Sequence, residues 1–283
     1  MSSNRSALPA ETSVYIAAAG HGTRLRGAMT DANIEQSYPK HLLPTGNGEE
    51  TLLGRIVRQS LEAPVLGAPV IYANEENRWA IAGHPDVDRR AHVVVSPHEH
   101  SFSPFVDSLR QTRQRILGSA GDFYADFDWA DVLDHHESGD YPVTFVAARS
   151  VAVEKGAVFD IDDSGEIIAF RRSPRTEESD FINIGVYVFD PEKSVLRIVS
   201  EIEAARGLPS KEEALVEELI AKRLLGAYVI EGAFNINTVE TYDALLRHTM
   251  GTSSLEAEAA SPHQRVVDRL GSVALLPALA AGL

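Results

Sequence analysis

The sequence predicts a Rossmann-like α/β domain: a mostly parallel, twisted mixed sheet flanked by helices. Three observations lead there. The first half alternates short apolar runs with segments of helical periodicity in the order strand, helix, strand, strand, helix. The second half changes to closely spaced strand-like segments with short turns, as expected of antiparallel strands continuing the same sheet. A chain of 283 residues with 44% hydrophobic and 24% charged residues can bury a core of that size.

The elements follow in order. Val14–Ala18 is apolar on both faces and reads as a central buried strand. Thr51–Ala63 places Leu52, Leu53, Ile56, Val57 and Leu61 on one helical side and arginines on the other. Pro69–Ala73 and Ala91–Val95 are the next strands, and Pro104–Gln114 reads as a helix with proline in its first turn. Val143–Ala148, Ala157–Ile161, Glu166–Phe170 and Asn183–Phe189 are strand-like. Lys211–Leu225 reads as a helix, Ala227–Glu231 as a strand, and Val239–Arg247 as another helix. These form one domain over residues 1–250, and 251–283 is a linker with a short helical tail.

Composition excludes several classes of function. The formal net charge is −15, which disfavours a nucleic-acid partner but not a small anionic substrate held by a few local cations. With no cysteine, thiolate metal sites, disulfides and a cysteine nucleophile are absent. The apolar tail Val273–Leu283 is too short to cross a bilayer, and the first residues do not read as a signal peptide. A cytoplasmic protein with no membrane partner is the expectation.

The stretch AAAGHGTRLRG follows the first strand. Its third glycine comes too late for a dinucleotide fingerprint, and no Walker lysine follows. Gly20 and Gly22 nevertheless permit a tight turn that brings backbone amides near phosphate oxygens, and Arg24 supplies a forked cation. Tyr38-Pro39-Lys40-His41-Leu42-Leu43-Pro44 then places a second cation at the start of a new apolar segment. Asp160-Ile161-Asp162-Asp163-Ser164-Gly165 begins like a calcium loop, but Arg171 occupies the twelfth position, so a hairpin turn is expected.

Ala18-Ala19-Gly20-His21-Gly22-Thr23-Arg24-Leu25 together with Pro39-Lys40-His41-Leu42-Leu43-Pro44 resembles the two-part signature of the sugar-nucleotide pyrophosphorylases. These are sugar-1-phosphate nucleotidyltransferases. The likeness extends through Gly121-Asp122, Asn183-Ile184-Gly185-Val186-Tyr187 and Asn235-Ile236-Asn237-Thr238, about residues 12–248 in all. It implies a nucleotide-diphospho-sugar transferase fold and condensation of a nucleoside triphosphate with a sugar 1-phosphate, releasing pyrophosphate.

The resemblance also implies residue roles. Ala18, Ala19, Gly20, His21, Gly22, Thr23 and Arg24 would bind the nucleotide, with Arg24, Lys40 and Asp122 catalytic. Asn183, Gly185 and Arg172 would bind the sugar phosphate. Asp122 and Asn235 would hold Mg²⁺, with Asp126 the alternative to Asp122 if Phe123–Ala125 rather than Gly118-Ser119-Ala120 forms the strand. Asn235 stands where most members carry aspartate, and Arg172-Ser173-Pro174 replaces the family's Glu-Lys-Pro. Those departures leave two alternatives open: transfer to another phosphorylated metabolite such as an amino-alcohol phosphate or molybdopterin, or a silent nucleotide-sugar-binding paralogue. The expected partners are the two substrates, with a homo-oligomer left open.

Overall fold

The computed structural model describes residues 11–32, 38–46, 50–96, 105, 108, 112, 114–149, 156–173, 181–191, 193–206, 212–250 and 261–272. The expected helix over 104–114 and linker over 251–260 lie largely outside them.

The first half builds β1 (Thr12–Ala18), α1 (Arg26–Asp31), α2 (Leu52–Glu62), β2 (Val70–Ala73), α3 (Arg78–Ala82), β3 (His92–Val95) and β4 (Arg115–Ala120). Then come β5 (Phe123–Tyr124), α4 (Trp129–Ser138), β6 (Val143–Arg149), β7 (Gly156–Ile161), β8 (Ile167–Ser173) and β9 (Phe181–Phe189). The chain closes with α5 (Lys193–Arg206), α6 (Glu212–Ala221), β10 (Leu225–Ile230), β11 (Phe234–Asn235), α7 (Val239–Met250) and α8 (Pro262–Ser272).

A nine-stranded sheet runs in the order β10-β6-β9-β4-β1-β2-β3, with the β7–β8 hairpin attached through β9. Strand β1 pairs in parallel with β2 and β4, while β9 runs antiparallel to both β4 and β6. The central position of β1 follows from its sequence. Val14, Ile16 and Ala18 pack into one core cluster, and Tyr15 and Ala17 into the cluster on the opposite face. Helix α2 starts where Thr51 Oγ1 accepts from Gly54 N at 3.0 Å, so Thr51 is its N-cap.

One element departs from the sequence reading, and β4 takes the first of the two strand alternatives left open there. Helix α6 stops at Ala221 rather than reaching Leu225. Leu224 N donates to Leu219 O and Arg223 N to Ile220 O, the paired bonds of a Schellman ending, with Arg223 left-handed at φ 56°. The freed run Leu225–Ile230 is taken by a parallel ladder with β6. Strand β4 includes Gly118 and Ser119 despite their low strand propensity. A Cβ on Gly118 would lie 3.3 Å from the Tyr187 ring and 3.4 Å from Phe105, so the packed aromatics leave room only for small residues.

A buried polar network ties β4 to the far end of β9. Arg115 Nε donates to Asp190 at 2.7 Å and Nη1 to Glu137 at 2.6 Å, and His136 Nε2 lies 3.3 Å from Asp190. Burial raises the Asp190 carboxyl, but hydrogen bonds from His136 and Arg115 and their charges hold it net below the usual carboxylate range. A depressed carboxyl binds its proton less readily when folded. Its stabilisation is therefore present above the ordinary carboxylate pKa and is lost as pH falls through the native value. Urea titrations of wild type and Asp190→Asn are expected to differ most near neutrality and to converge below about pH 4. A gap that widens on acidification contradicts this assignment.

A third apolar cluster lies outside the sheet. Leu25, Ala28 and Met29 around α1 meet Tyr242, Leu245 and Leu246 of α7 and Val266 and Leu270 of α8. Among the described residues, no helix is long and apolar enough to cross a membrane.

Candidate active site

Three chain segments meet beyond the carboxyl ends of β1 and β4. The first is the glycine turn. Gly22 adopts φ +63°, which favours glycine, and a Cβ there would meet the Lys40 side chain at 3.1 Å. The turn closes through Leu25 N donating to Gly22 O at 3.0 Å. Gly20, His21, Thr23 and Arg24 are exposed, whereas the Ala18 and Ala19 side chains are buried in the core, so those two offer only backbone. Asn74 Nδ2 donates to Ala19 O at 2.9 Å and fixes the start of the turn to the end of β2. Among the described residues, the amides of Gly20 through Arg24 have no acceptor, which leaves them available to a ligand.

The second segment is the single 3₁₀ turn Lys40–Leu42, entered through extended Pro39. It buries Lys40 to 6% and His41 to 1% exposure beneath the glycine turn. Burial, then the neighbouring Lys40 charge, pushes the His41 pKa down to about 4 against the opposing pull of Asp122. The ring is thus neutral near pH 7, and its Nδ1 has no hydrogen-bond partner among the described residues.

The third segment supplies the carboxylate. Gly121 N donates to Ala17 O at 2.8 Å, fixing the turn after β4 against the end of β1. Asp122 then forms an ion pair with Lys40. Burial raises the Asp122 carboxyl, but the Lys40 charge above all, together with the Lys40 hydrogen bond, brings it net below its ordinary value. The short β5–β11 pairing sets Asn235 opposite Phe123, and Ile236 N donates to Asp122 O at 2.8 Å. Lys40 Nζ uses its remaining donors on Asn237 Oδ1 at 2.8 Å and Ile236 O at 3.4 Å.

Lys40 and Asp122 therefore lie together, with Lys40 packed beneath Gly20 and Gly22 and Asn237 linking it to Asn235, and Arg24 is on the exposed limb of the turn. Asn183 and Gly185 lie at a bulge in β9 beside Ala120 at the end of β4, where the register with β6 shifts between Phe145 and Ala147. Gly185 has φ +79°, and a Cβ there would lie 2.8 Å from Ala120 Cβ. Asn183 Oδ1 accepts from Gly185 N at 2.8 Å and shapes that bulge. Two residues are placed elsewhere. Asp126 is 66% exposed and ion-paired with Arg55 of α2. Arg172 lies on β8, its guanidinium paired with Glu213 of α6. The sequence reading assigned no role to His41 or Asn237. Adjacency to Lys40 was the signal for the first and the repeated asparagine of Asn-Ile-Asn-Thr for the second.

The fold agrees with the comparisons. A profile of the nucleotidyl transferase family matches residues 14–235, and the chain belongs to that family. Mannose-1-phosphate guanylyltransferase of Mycobacterium tuberculosis is 26% identical over 182 residues, covering 60% of this chain and 46% of that protein. The chain thus spans under half the length of such curated relatives. Among solved structures, a Bacillus anthracis protein described as a glucose-1-phosphate thymidylyltransferase superposes with a TM-score of 0.67 at 16% identity. It covers 89% of this chain and 99% of its own. CTP:phosphocholine cytidylyltransferase from Streptococcus pneumoniae gives 0.64 at 15% identity, covering 84% and 99%. These neighbours carry the nucleotide-diphospho-sugar transferase fold, which this chain shares.

Proposed function

We propose that the chain condenses a nucleoside triphosphate with a sugar 1-phosphate in a Mg²⁺-dependent reaction. The observation that carries this reading is the Lys40–Asp122 pair under a turn whose amides are available. An oxygen of the sugar phosphate attacks the α-phosphorus, and the bond to the pyrophosphate oxygen breaks, that oxygen leaving with the electron pair. Such a transfer needs in-line placement and neutralised charge more than covalent help. The turn's amides and Arg24 bind the triphosphate, and Arg24 offsets charge on the departing pyrophosphate. Lys40 offsets charge on the α-phosphate and the incoming phosphate. Asn183 and Gly185 are assigned to the incoming sugar phosphate, which their bulge beside Ala120 at the end of β4 supports.

The donor set fits Mg²⁺. Asp122 and Asn235 are hard oxygen donors on adjoining segments of the β5–β11 pairing, where Asn235 stands opposite the residue after Asp122. Among the described residues no group of three or more ligating side chains exists. Two protein oxygens suit an ion that completes its shell with phosphate and water. When bound, it would supply further charge neutralisation at the phosphates.

A sugar 1-phosphate is favoured by the names of the mannose- and glucose-1-phosphate relatives. A second reading, an amino-alcohol phosphate, is favoured by two observations. A CTP:phosphocholine cytidylyltransferase shares the fold, and Arg172, at the family's Glu-Lys-Pro segment, is engaged by Glu213. The test is pyrophosphate release with each of four nucleoside triphosphates against mannose 1-phosphate, glucose 1-phosphate and phosphocholine. Release with a sugar phosphate is expected. Release only with phosphocholine selects the second reading, and no release with any pair rejects both.

A further inference from the structure

We propose that Asn237 is a positioning residue of the transfer site, holding the Lys40 ammonium and the Asn235 carboxamide in one fixed array. The proposal rests on the nucleotidyl-transfer reading above. One carboxamide works in both directions: Oδ1 accepts from Lys40 Nζ at 2.8 Å, and Nδ2 donates to Asn235 Oδ1. The residue is itself anchored, because its backbone N–H donates to Thr241 Oγ1 at 3.3 Å at the start of α7.

The chemistry requires such an anchor. In this structure Lys40 and Asp122 neutralise each other. A divalent cation on Asp122 competes with the ammonium for the same oxygens and repels it. Lys40 then keeps only neutral acceptors, Asn237 Oδ1 and the more distant Ile236 carbonyl at 3.4 Å. Asn237 thus retains Lys40 within the site when the carboxylate changes partners. Its Nδ2 also fixes which atom of Asn235 is the oxygen, so that this acceptor is oriented rather than averaged over a rotating amide. Alanine supplies neither bond. Aspartate supplies the acceptor with a full charge but no donor for Asn235.

The experiment compares the full chain with Asn237→Ala and Asn237→Asp, using melting curves, steady-state kinetics and Mn²⁺ binding without nucleotide. The free Mn²⁺ is read by electron paramagnetic resonance. For Asn237→Ala, kcat is expected to fall about 10–100-fold while KM for the triphosphate stays within about threefold, as for other outer-shell partners. For Asn237→Asp, Mn²⁺ binding is expected to tighten about tenfold, because a second carboxylate joins Asp122. Its kcat falls as well, since Lys40 is then held by charge. Wild-type kcat in Asn237→Ala, or Mn²⁺ binding unchanged in Asn237→Asp, overturns the proposal. If wild type turns over no substrate pair, the functional reading fails on its own. The Mn²⁺ comparison needs no substrate and still decides whether Asn237 shares a centre with Asp122.

Discussion

Lys40→Met is expected to lower turnover by about 10²–10³-fold, roughly 3–4 kcal/mol in barrier, as when one preorganised donor is lost from a site of developing charge. The expectation follows from burial and placement together. The ammonium is 6% exposed, so water replaces its charge poorly. Its loss also leaves the Asp122 carboxylate, 18% exposed, facing Asn237 without a cation. That stranded charge costs about 1–3 kcal/mol of stability, less than for a fully enclosed ion because the carboxylate reaches the cleft. The double variant Lys40→Met/Asp122→Asn is expected to recover most of that stability and none of the turnover, since the two residues form one coupled pair. Urea midpoints and pyrophosphate release measured on Lys40→Met, Asp122→Asn and the double variant check both halves. Wild-type turnover in Lys40→Met removes the lysine from the mechanism, and additive stability losses remove the coupling.

Asp243→Ala is expected to destabilise the chain by about 3 kcal/mol, because it breaks an ion cluster from the buried side. Asp243 is 2% exposed and accepts from Arg265 Nε and Nη2, each at 2.7 Å, while Arg247 Nε lies 3.2 Å away. Arg265 belongs to α8 and Asp243 to α7, so the cluster clamps the two helices. Helix α8 in turn covers Leu25, Ala28 and Met29, which follow the glycine turn directly. The loss is therefore expected to raise KM for the triphosphate although no residue facing the cleft has changed. Denaturant titration and amide exchange across α8 measure the first effect, and steady-state kinetics the second. An unchanged urea midpoint with unchanged slope contradicts the clamp.

What the sequence made legible was local. The apolar run of β1, the helical periodicity of α2, the glycine turn and the Pro-Lys segment each depend on neighbours within a few residues. Propensity failed where distant packing decided. Gly118 and Ser119 are poor strand formers, yet Phe105 and Tyr187 demand small residues between two paired strands. The register of the carboxylate followed from this. With β4 ending at Ala120, Asp122 rather than Asp126 stands beside Lys40. The end of α6 was misread for a related reason: Leu225–Ile230 suits helix or strand, and pairing with β6 chose the strand.

By itself, then, the sequence determined the order of elements, the phosphate-suited turn and the residue types able to handle a triphosphate. Only the tertiary structure decided which of them meet. The Lys40–Asp122 pair spans 82 residues of chain and the Lys40–Asn237 bond 197, and no local periodicity encodes either separation. Sheet order and strand register bring those groups within hydrogen-bond reach, just as they turn Arg172 toward Glu213 instead.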